Sequence, residues 1–165
     1  MEARKAKDSF ITMNELVLPN DTNTFGDLMG GKLMYWMDIA AYLSAAKHSN
    51  SSCMTASVDN LSFKTPIKLG NVICIEARVT RSFTTSMEIH LKVWNQNMIT
   101  QTRELSNEAY FTFVALDENK KPKPVPGVIA ETEEEKKYFD GALRRRQLRL
   151  ILVGKMKPDD ATELK

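Results

Sequence analysis

One segment, GGKLMYWMDIAAYLSAAKH at residues 30–48, constrains the fold of this chain more than any other. Its composition indicates a helix whose apolar residues are not confined to one stripe, since they occupy positions 33, 34, 36, 37, 39–43, 45 and 46. Such a helix needs cover on most of its faces. We therefore predict a central helix surrounded by other elements, with a single carboxylate, Asp38, buried near its middle.

The other segments supply that cover, because they change to the two-residue period of half-buried strands. Alternation is clear in NVICIEARVT and SMEIHLKVWN, and it continues in ITQTRELSNEAYFTFVALD. Shorter strand patterns occur in ITMNELVLP and CMTASVDNLSF. The connections RSFTTS and WNQNM are short enough for hairpins, which pair strands antiparallel. The predicted class is therefore α+β, with an antiparallel sheet packed against one long helix.

A length of 165 residues favours one domain. Residues 1–10 are polar and predict a flexible N-terminus, and the folded domain is expected over residues 11–126. Residues 127–165 are expected to form a helical extension and a frayed tail. The extension runs from acidic residues to RRRQLR, which is the order that a helix dipole favours, although Gly141 weakens the helix pattern.

Composition excludes several classes of protein. The chain has 23 basic and 21 acidic residues, and a net charge of +2 indicates no strong attraction to nucleic acids or membranes. We find no signal-peptide pattern and no run of ~18 apolar residues, so we predict a cytoplasmic protein without membrane insertion.

Cys53 and Cys74 are expected to be reduced and buried. His48 and His90 lack partners at ligand spacing, so they are expected on the surface and no metal site is predicted.

Three motifs resemble ligand sites but fit them poorly. GDLMGGK has the spacing of a phosphate-binding P-loop, but Leu33 stands where Ser or Thr would hold Mg²⁺, and no buried strand precedes it. DTNTFG imitates the start of a calcium loop, but Phe25 and Lys32 occupy two ligand positions. RRRQLR could hold a phosphate, and we interpret it instead as a solvated helix end.

The helix start and Asp38 together suggest chemistry. Gly30 and Gly31 leave free backbone N–H groups at the positive end of the helix dipole, which suit an anion or a carbonyl oxygen. A buried carboxylate such as Asp38 can be a general base, and it can also be a purely structural hydrogen-bonding group. About 12 Å of helix separates Gly30 from Asp38. Because both are needed within ~3 Å of one carbonyl, we predict a two-fold dimer with shared sites.

Three stretches carry a resemblance to a known family: PNDTNTFGDLMGGKLMYWMD, VDNLSFKTPIKLGNVI and SNEAYFTFVALD. Together they resemble the hotdog-fold acyl-CoA thioesterases, and in particular the cytosolic acyl-CoA hydrolases and their single-domain bacterial relatives. The resemblance implies a hotdog fold, in which a curved antiparallel sheet wraps around one long helix. It also implies a homodimer, or a hexamer built as a trimer of dimers.

The same resemblance implies hydrolysis of fatty acyl-CoA to the free acid and coenzyme A, with no cofactor. The family's catalytic Asp matches Asp38 in WMD, and its catalytic Asn matches Asn23 in DTN, contributed across the dimer interface. A backbone N–H at Gly30 or Gly31 is expected to polarise the thioester oxygen. Asp38 is expected to act as a general base or as a nucleophile through an anhydride, and the sequence leaves both routes open.

Coenzyme A is expected to contact strand-edge and hairpin residues, namely Phe63, Lys64, Arg81, Thr84 and Ser86. The basic ones would bind phosphate, while ordinary turn chemistry explains the same residues equally well. An alternative function is a non-catalytic acyl-CoA sensor of the same fold, although the chain retains both Asn23 and Asp38. An enoyl-CoA hydratase is disfavoured, because Leu43 stands where that resemblance requires a His.

Overall fold

A long helix and a curved sheet form the centre of the structure, a computed structural model that describes residues 1–59 and 61–165. The strands are β1 (Arg4–Lys5), β2 (Ile11–Leu16), β3 (Ser52–Asp59), β4 (Val72–Ser82), β5 (Ser86–Asn97), β6 (Thr102–Leu116) and β7 (Val128–Ile129). The helices are α1 (Gly30–Ser49) and α2 (Glu133–Leu152), with 3₁₀ turns at Ala6–Ser9, Pro19–Asp21, Pro158–Asp160 and Thr162–Leu164. The predicted α+β class is confirmed.

Five strands form one antiparallel sheet in the order β2-β4-β5-β6-β3, so that β2 and β3 are its edges. Strand alternation turns one set of side chains towards α1, and this set is fully buried: Ile73, Ile75, Ile89, Leu91 and Phe111. α1 contributes Leu33 and Met37, and its alanines at positions 40, 41 and 45 let the sheet approach closely. The hotdog arrangement implied by the resemblance is therefore confirmed.

One face of α1 is left open by the part of the chain that the structure describes. Apolar side chains of Met34, Tyr35, Tyr42 and Leu43 remain exposed, Tyr35 most of all at 58%. The face lies beside β3, whose Thr55 contacts Asp38 of the helix. Asp38 is half-buried, which corrects the prediction of a fully buried acid, because the carboxylate lies on this open face.

The first ten residues are part of the domain, which corrects the prediction of a flexible N-terminus. β1 pairs in parallel with β7. Ser9 is completely buried; its hydroxyl accepts a hydrogen bond from the Val79 N–H at 2.9 Å, and its carbonyl accepts one from the Ser44 hydroxyl at 2.7 Å. The segment thus joins β4 to α1. The polar sequence of residues 1–10 does not reveal this packing, because the hydrogen-bond partners of the segment lie far along the chain.

α2 crosses the outer face of the sheet and continues through Gly141 without interruption. It begins in a capping box, in which Thr132 and Glu135 exchange side-chain to backbone hydrogen bonds. Further along, Arg145 forms a bidentate ion pair at 2.7 and 2.9 Å with Glu88 of β5, a side chain that is only 2% exposed. The basic run is therefore more than the predicted solvated helix end, since Arg145 anchors α2 to the sheet.

The tail after α2 is also packed against the domain, which corrects the predicted frayed end. α2 closes in a Schellman motif: the Lys155 N–H donates to the Leu150 carbonyl, and Gly154 has a left-handed φ of +74°. The Glu163 N–H then donates to the Gln147 side chain at 2.9 Å. These contacts return the chain to α2.

Both histidines are buried, so their predicted place on the surface is wrong. His48 Nε2 lies 2.9 Å from a loop carbonyl oxygen, and the His90 ring stacks on Tyr138 with centroids 4.2 Å apart. Burial lowers the pKa of both rings, that of His90 to about 4. Cys74 is buried as predicted and Cys53 is half-buried, and burial raises the pKa of both free thiols.

Replacing Arg145 with Met is expected to destabilise the protein by about 3–5 kcal/mol, because the Glu88 carboxylate would stay buried without an ion-pair partner. Urea unfolding measures the change in the free energy of unfolding. The matched variant Arg144→Met removes an exposed guanidinium from the preceding position, and it should change stability by less than ~0.5 kcal/mol. Equal losses in the two variants would contradict the anchoring role of this ion pair.

Candidate active site

The loop before α1 holds the Asn23 side chain in a fixed orientation. Asn23 Oδ1 accepts hydrogen bonds from the backbone N–H groups of Phe25 at 2.9 Å and Asp27 at 3.2 Å. The Asn23 N–H in turn donates to the Asp27 carbonyl at 2.8 Å. Because the amide oxygen is committed to the loop, the exposed Nδ2 group is the part that can meet a ligand, and it can only donate.

The start of α1 presents backbone donors without a side chain to cover them. The Met29 N–H donates to the Asp21 carbonyl at 2.9 Å, but within residues 1–59 and 61–165 no acceptor pairs with the N–H of Gly30 or Gly31. The Phe63 ring packs over Gly30, where a Cβ atom would lie 3.1 Å from it, while a Cβ at Gly31 would meet open space. These donors suit a carbonyl oxygen or an anion.

Asp38 lies two turns further along α1 and pairs with a residue of the edge strand. The Thr55 hydroxyl donates to Asp38 Oδ1 at 2.6 Å, and no donor in the described part of the chain reaches Oδ2. A β-bulge follows at once, since the register with β6 shifts between Thr55 and Ser57. Thr55 was not predicted as a site residue. The sequence signal that could have indicated Thr55 is a hydroxyl group at an inward-facing position of the strand pattern CMTASVD.

A cavity of about 340 Å³ runs along the same helix face. It is lined mostly by apolar groups, and its residues are Gly31, Met34, Tyr35, Asp38, Thr55, Val58 and Phe111. The four from α1 share one face because their spacing follows the helical repeat. An apolar slot with a single carboxylate suits a ligand that has a carbon chain and a polar reacting centre.

The glycine donors and the carboxylate lie at opposite ends of this cavity. About 10 Å of helix axis separates Gly31 from Asp38. A reacting carbonyl needs its oxyanion donors and its base each within ~3 Å. The donors and the acid of one chain are therefore too far apart along the axis to act on one carbonyl together.

Two of the residues predicted to bind coenzyme A lie near the start of α1. Phe63 covers Gly30, and Lys64 lines a polar cavity of about 250 Å³ with Asn107 and Glu108. This pair therefore lies beside the glycine donors. A phosphate contact of Lys64 stays a prediction.

The other predicted coenzyme A residues lie at the far end of α1, in and beside the β4–β5 turn: Arg81, Thr84 and Ser86. The turn is tied to the last turn of α1, because the Ser82 hydroxyl and the His48 ring both contact the Pro126 carbonyl. Arg81 stacks on Phe139, with its guanidinium 4.3 Å from the ring centroid, and donates to the Phe139 carbonyl. As α1 spans ~30 Å, one chain does not bring the two groups together.

Several known proteins similar to this chain are acyl-CoA thioesterases or hydrolases. Residues 25–101 match the thioesterase superfamily. The chain is 43% identical over 144 residues to an uncharacterized acyl-CoA thioester hydrolase of Bacillus subtilis, with 87% of this chain and 84% of the relative covered. Several other relatives, including the acetyl-coenzyme A thioesterase of Mus musculus, are much longer, and the chain spans 25% of their length.

Solved structures agree in fold over most of the chain. An apo hexameric acyl-CoA thioesterase superposes with a TM-score of 0.90 at 38% identity, covering 94% of this chain and 100% of the other. The acyl-CoA hydrolase of Staphylococcus aureus, solved with butyryl coenzyme A, coenzyme A and coenzyme A disulfide, gives 0.84 at 36% identity, with 92% and 94% covered. Structures of the same hydrolase also exist with alanine in place of one aspartate, one threonine or one asparagine.

Replacing Gly31 with Ala is expected to raise the free energy of unfolding by up to ~1 kcal/mol, because alanine loses less backbone freedom in a helix and its methyl group meets open space. Gly30→Ala should gain less or lose stability, since its methyl group would press on the Phe63 ring. Urea unfolding of the pair measures the difference. Equal gains at both positions would contradict the close packing of Phe63 on Gly30.

Proposed function

The chain belongs to the thioesterase superfamily and is an enzyme, and on that premise we propose that it hydrolyses fatty acyl-CoA to the free acid and coenzyme A. The observation that carries the proposal is the Thr55–Asp38 hydrogen bond at the wall of an apolar cavity. The acyl chain would lie along the apolar walls. The thioester carbonyl would lie at the carboxylate.

The Staphylococcus aureus hydrolase supports this choice of residues. Its alanine variants replace an asparagine, an aspartate and a threonine, of which the first two are fifteen positions apart and the last two seventeen. Asn23, Asp38 and Thr55 have the same two intervals. Agreement in three residue types and two intervals supports a role for all three residues in this chain.

Asp38 would activate the group that attacks the thioester. Thr55 holds Oδ1, which leaves Oδ2 for the reaction. As a general base, Oδ2 takes a proton from water while the water oxygen bonds to the carbonyl carbon; the C–S bond then breaks and the departing thiolate takes up the proton. As a nucleophile, Oδ2 itself bonds to the carbonyl carbon, coenzyme A leaves, and water hydrolyses the anhydride. Both routes need only water and the chain's own groups.

A homodimer would complete the site. The exposed apolar face of α1 lies beside β3, an edge strand that can pair with its own copy around a two-fold axis. This pairing would cover the open face. Asp38 of one protomer would then meet the helix start of the other, where the partner's Gly31 N–H binds the carbonyl oxygen and the partner's Asn23 Nδ2 orients the carbonyl or the water.

The same dimer accounts for the separated coenzyme A residues. If the two α1 helices lie antiparallel, the end of one helix lies near the start of the other. Arg81, Thr84 and Ser86 of one protomer would then approach the partner's Phe63 and the partner's Lys64. Such dimers would associate further into a hexamer, as in the hexameric acyl-CoA thioesterase.

A non-catalytic acyl-CoA sensor is the weaker candidate. A sensor needs the cavity but no oriented acid, whereas here Thr55 fixes one oxygen of Asp38 and leaves the other open.

Over the described ranges, no helix is long and apolar enough to cross a membrane. A cytoplasmic location stays a prediction.

Asp38→Asn is expected to lower kcat for acyl-CoA hydrolysis by ~10²–10⁴-fold, because the amide can neither accept the proton nor attack. Thr55→Val keeps the side-chain shape but removes the donor to Asp38, so kcat should fall about tenfold with little change in KM. Release of free thiol from a series of acyl-CoA substrates gives both constants.

The matched controls for these variants are Asp140→Asn on α2 and Thr12→Val on β2, both at exposed positions. They should keep the original rate. Full activity in Asp38→Asn would reject the assigned chemistry. Coenzyme A binding without any thioester cleavage by the unmodified protein would instead favour the sensor.

Mixing two inactive variants tests whether the site is shared. Refolding Asp38→Asn together with Asn23→Ala in equal amounts should restore roughly a quarter of the activity, since half the dimers are mixed and each mixed dimer has one intact site. Each variant refolded alone serves as the control. If both residues act within one chain, mixing restores nothing, and the shared site is rejected.

A further inference from the structure

Positive charge is concentrated in the second half of α2 and in the segment that follows it. Residues 141–157, GALRRRQLRLILVGKMK, contain six basic residues and no acidic one, whereas α2 begins with three glutamates. Arg145 and Arg149 are paired with carboxylates of the sheet. Among the described residues, no carboxylate pairs with the remaining four, which are Arg144, Arg146, Lys155 and Lys157.

Apolar side chains stand among these cations. Leu152 and Val153 are 86% and 61% exposed, and Leu148 is exposed one turn earlier on the same helix. The left-handed Gly154 ends α2 and places Lys155 and Lys157 directly beyond these side chains. We call Leu148, Leu152, Val153, Lys155 and Lys157 the α2 tip. It lies on the surface at the end of the helix that Arg145 anchors, and Leu148 and Leu152 line a cavity there with Val58 of β3.

We propose that the α2 tip docks the protein on the surface of an anionic lipid bilayer. Exposed leucine and valine side chains are stabilised by burial at the boundary between headgroups and acyl chains. The surrounding lysines and arginines are attracted electrostatically to anionic headgroups. The contact is peripheral and spans nothing. It rests on a local excess of charge that the net charge of +2 conceals.

The observations favour a bilayer over two other occupants. A second copy of this chain meeting the tip around a two-fold axis would bring the same cations face to face, which opposes the contact. A nucleic acid would satisfy the cations but leave the exposed Leu152 and Val153 side chains in water. Of these three occupants, an anionic lipid surface is the one that satisfies both kinds of side chain.

The proposed function gives the docking a purpose, and this part of the argument rests on that proposal. A fatty acyl-CoA has a hydrocarbon chain that partitions into membranes and a charged head that remains in water. An enzyme held at the bilayer surface would meet such a substrate at a higher local concentration. The docking itself depends on the tip alone, so it is tested without substrate.

Flotation of the full-length protein with lipid vesicles tests the proposal. We expect binding to vesicles of phosphatidylcholine with 30% phosphatidylglycerol at low salt, and at least tenfold weaker binding to pure phosphatidylcholine vesicles. Lys155→Glu with Lys157→Glu should weaken binding to the anionic vesicles at least tenfold, and Leu152→Ser with Val153→Ser should weaken it at least fivefold. All four positions are exposed, so folding should be unaffected.

Matched controls distinguish vesicle binding by the tip from non-specific binding by other exposed lysines or apolar side chains. Lys136→Glu with Lys137→Glu changes two exposed lysines at the other end of α2, and Ile99→Ser removes an apolar side chain from a distant turn that is also highly exposed. Both should bind like the original protein. Thiol release from a dissolved short-chain acyl-CoA should be unchanged in every variant, so loss of docking and loss of hydrolysis are distinguishable.

Three results would overturn the docking proposal. One is equal binding to neutral and anionic vesicles, or no binding to either. Another is equal weakening by the control pair of lysines. The third is a fall in oligomeric state on replacing Leu152 and Val153, measured by sedimentation, because it would assign the tip to a contact between copies of this chain.

Discussion

The structure depends on covering a helix that is apolar on nearly every side. A flat sheet could cover only one stripe of α1, so the strands curl around it and bring fully buried side chains such as Ile75 and Phe111 against its alanines. The described residues of one chain leave part of α1 uncovered, because Met34, Tyr35 and Leu43 remain exposed. The uncovered strip is also where the cavity and Asp38 lie. The need for cover and the proposed chemistry therefore converge on one face.

The edge strand β3 connects the main functional features. Its inward residue Thr55 holds the Asp38 carboxylate, and Val58 lines the same cavity. On the outer side, Asp59 meets Arg149 of α2. Among the described residues, no strand pairs with the other edge of β3, and we propose a copy of the same strand as its partner. A change in β3 would thus affect the carboxylate, the proposed dimer contact and the extension helix together.

Charge is arranged locally in ways that the overall composition does not express. A nearly neutral chain contains a buried bidentate Glu88–Arg145 pair and, two turns later, an exposed cationic and apolar tip. The buried pair fixes how α2 crosses the sheet. The position of the tip follows from that anchor, so the membrane contact we propose depends on a polar interaction inside the protein.

Periodicity in the sequence by itself determined the five strands of the main sheet, the central helix and the fold class, because helical and strand repeats reflect which faces are buried. Local features of the sequence pointed to Asp38 and the glycine pair as candidates, and the resemblance to the thioesterases added Asn23. Only the tertiary structure decided which polar groups are satisfied. Thr55 reaches Asp38 across 17 positions, Arg145 reaches Glu88 across 57, and Ser9 reaches Val79 across 70. Polarity alone placed His90 and the N-terminus on the surface, because a linear pattern records the cost of burying a polar group but not the distant partner that offsets it.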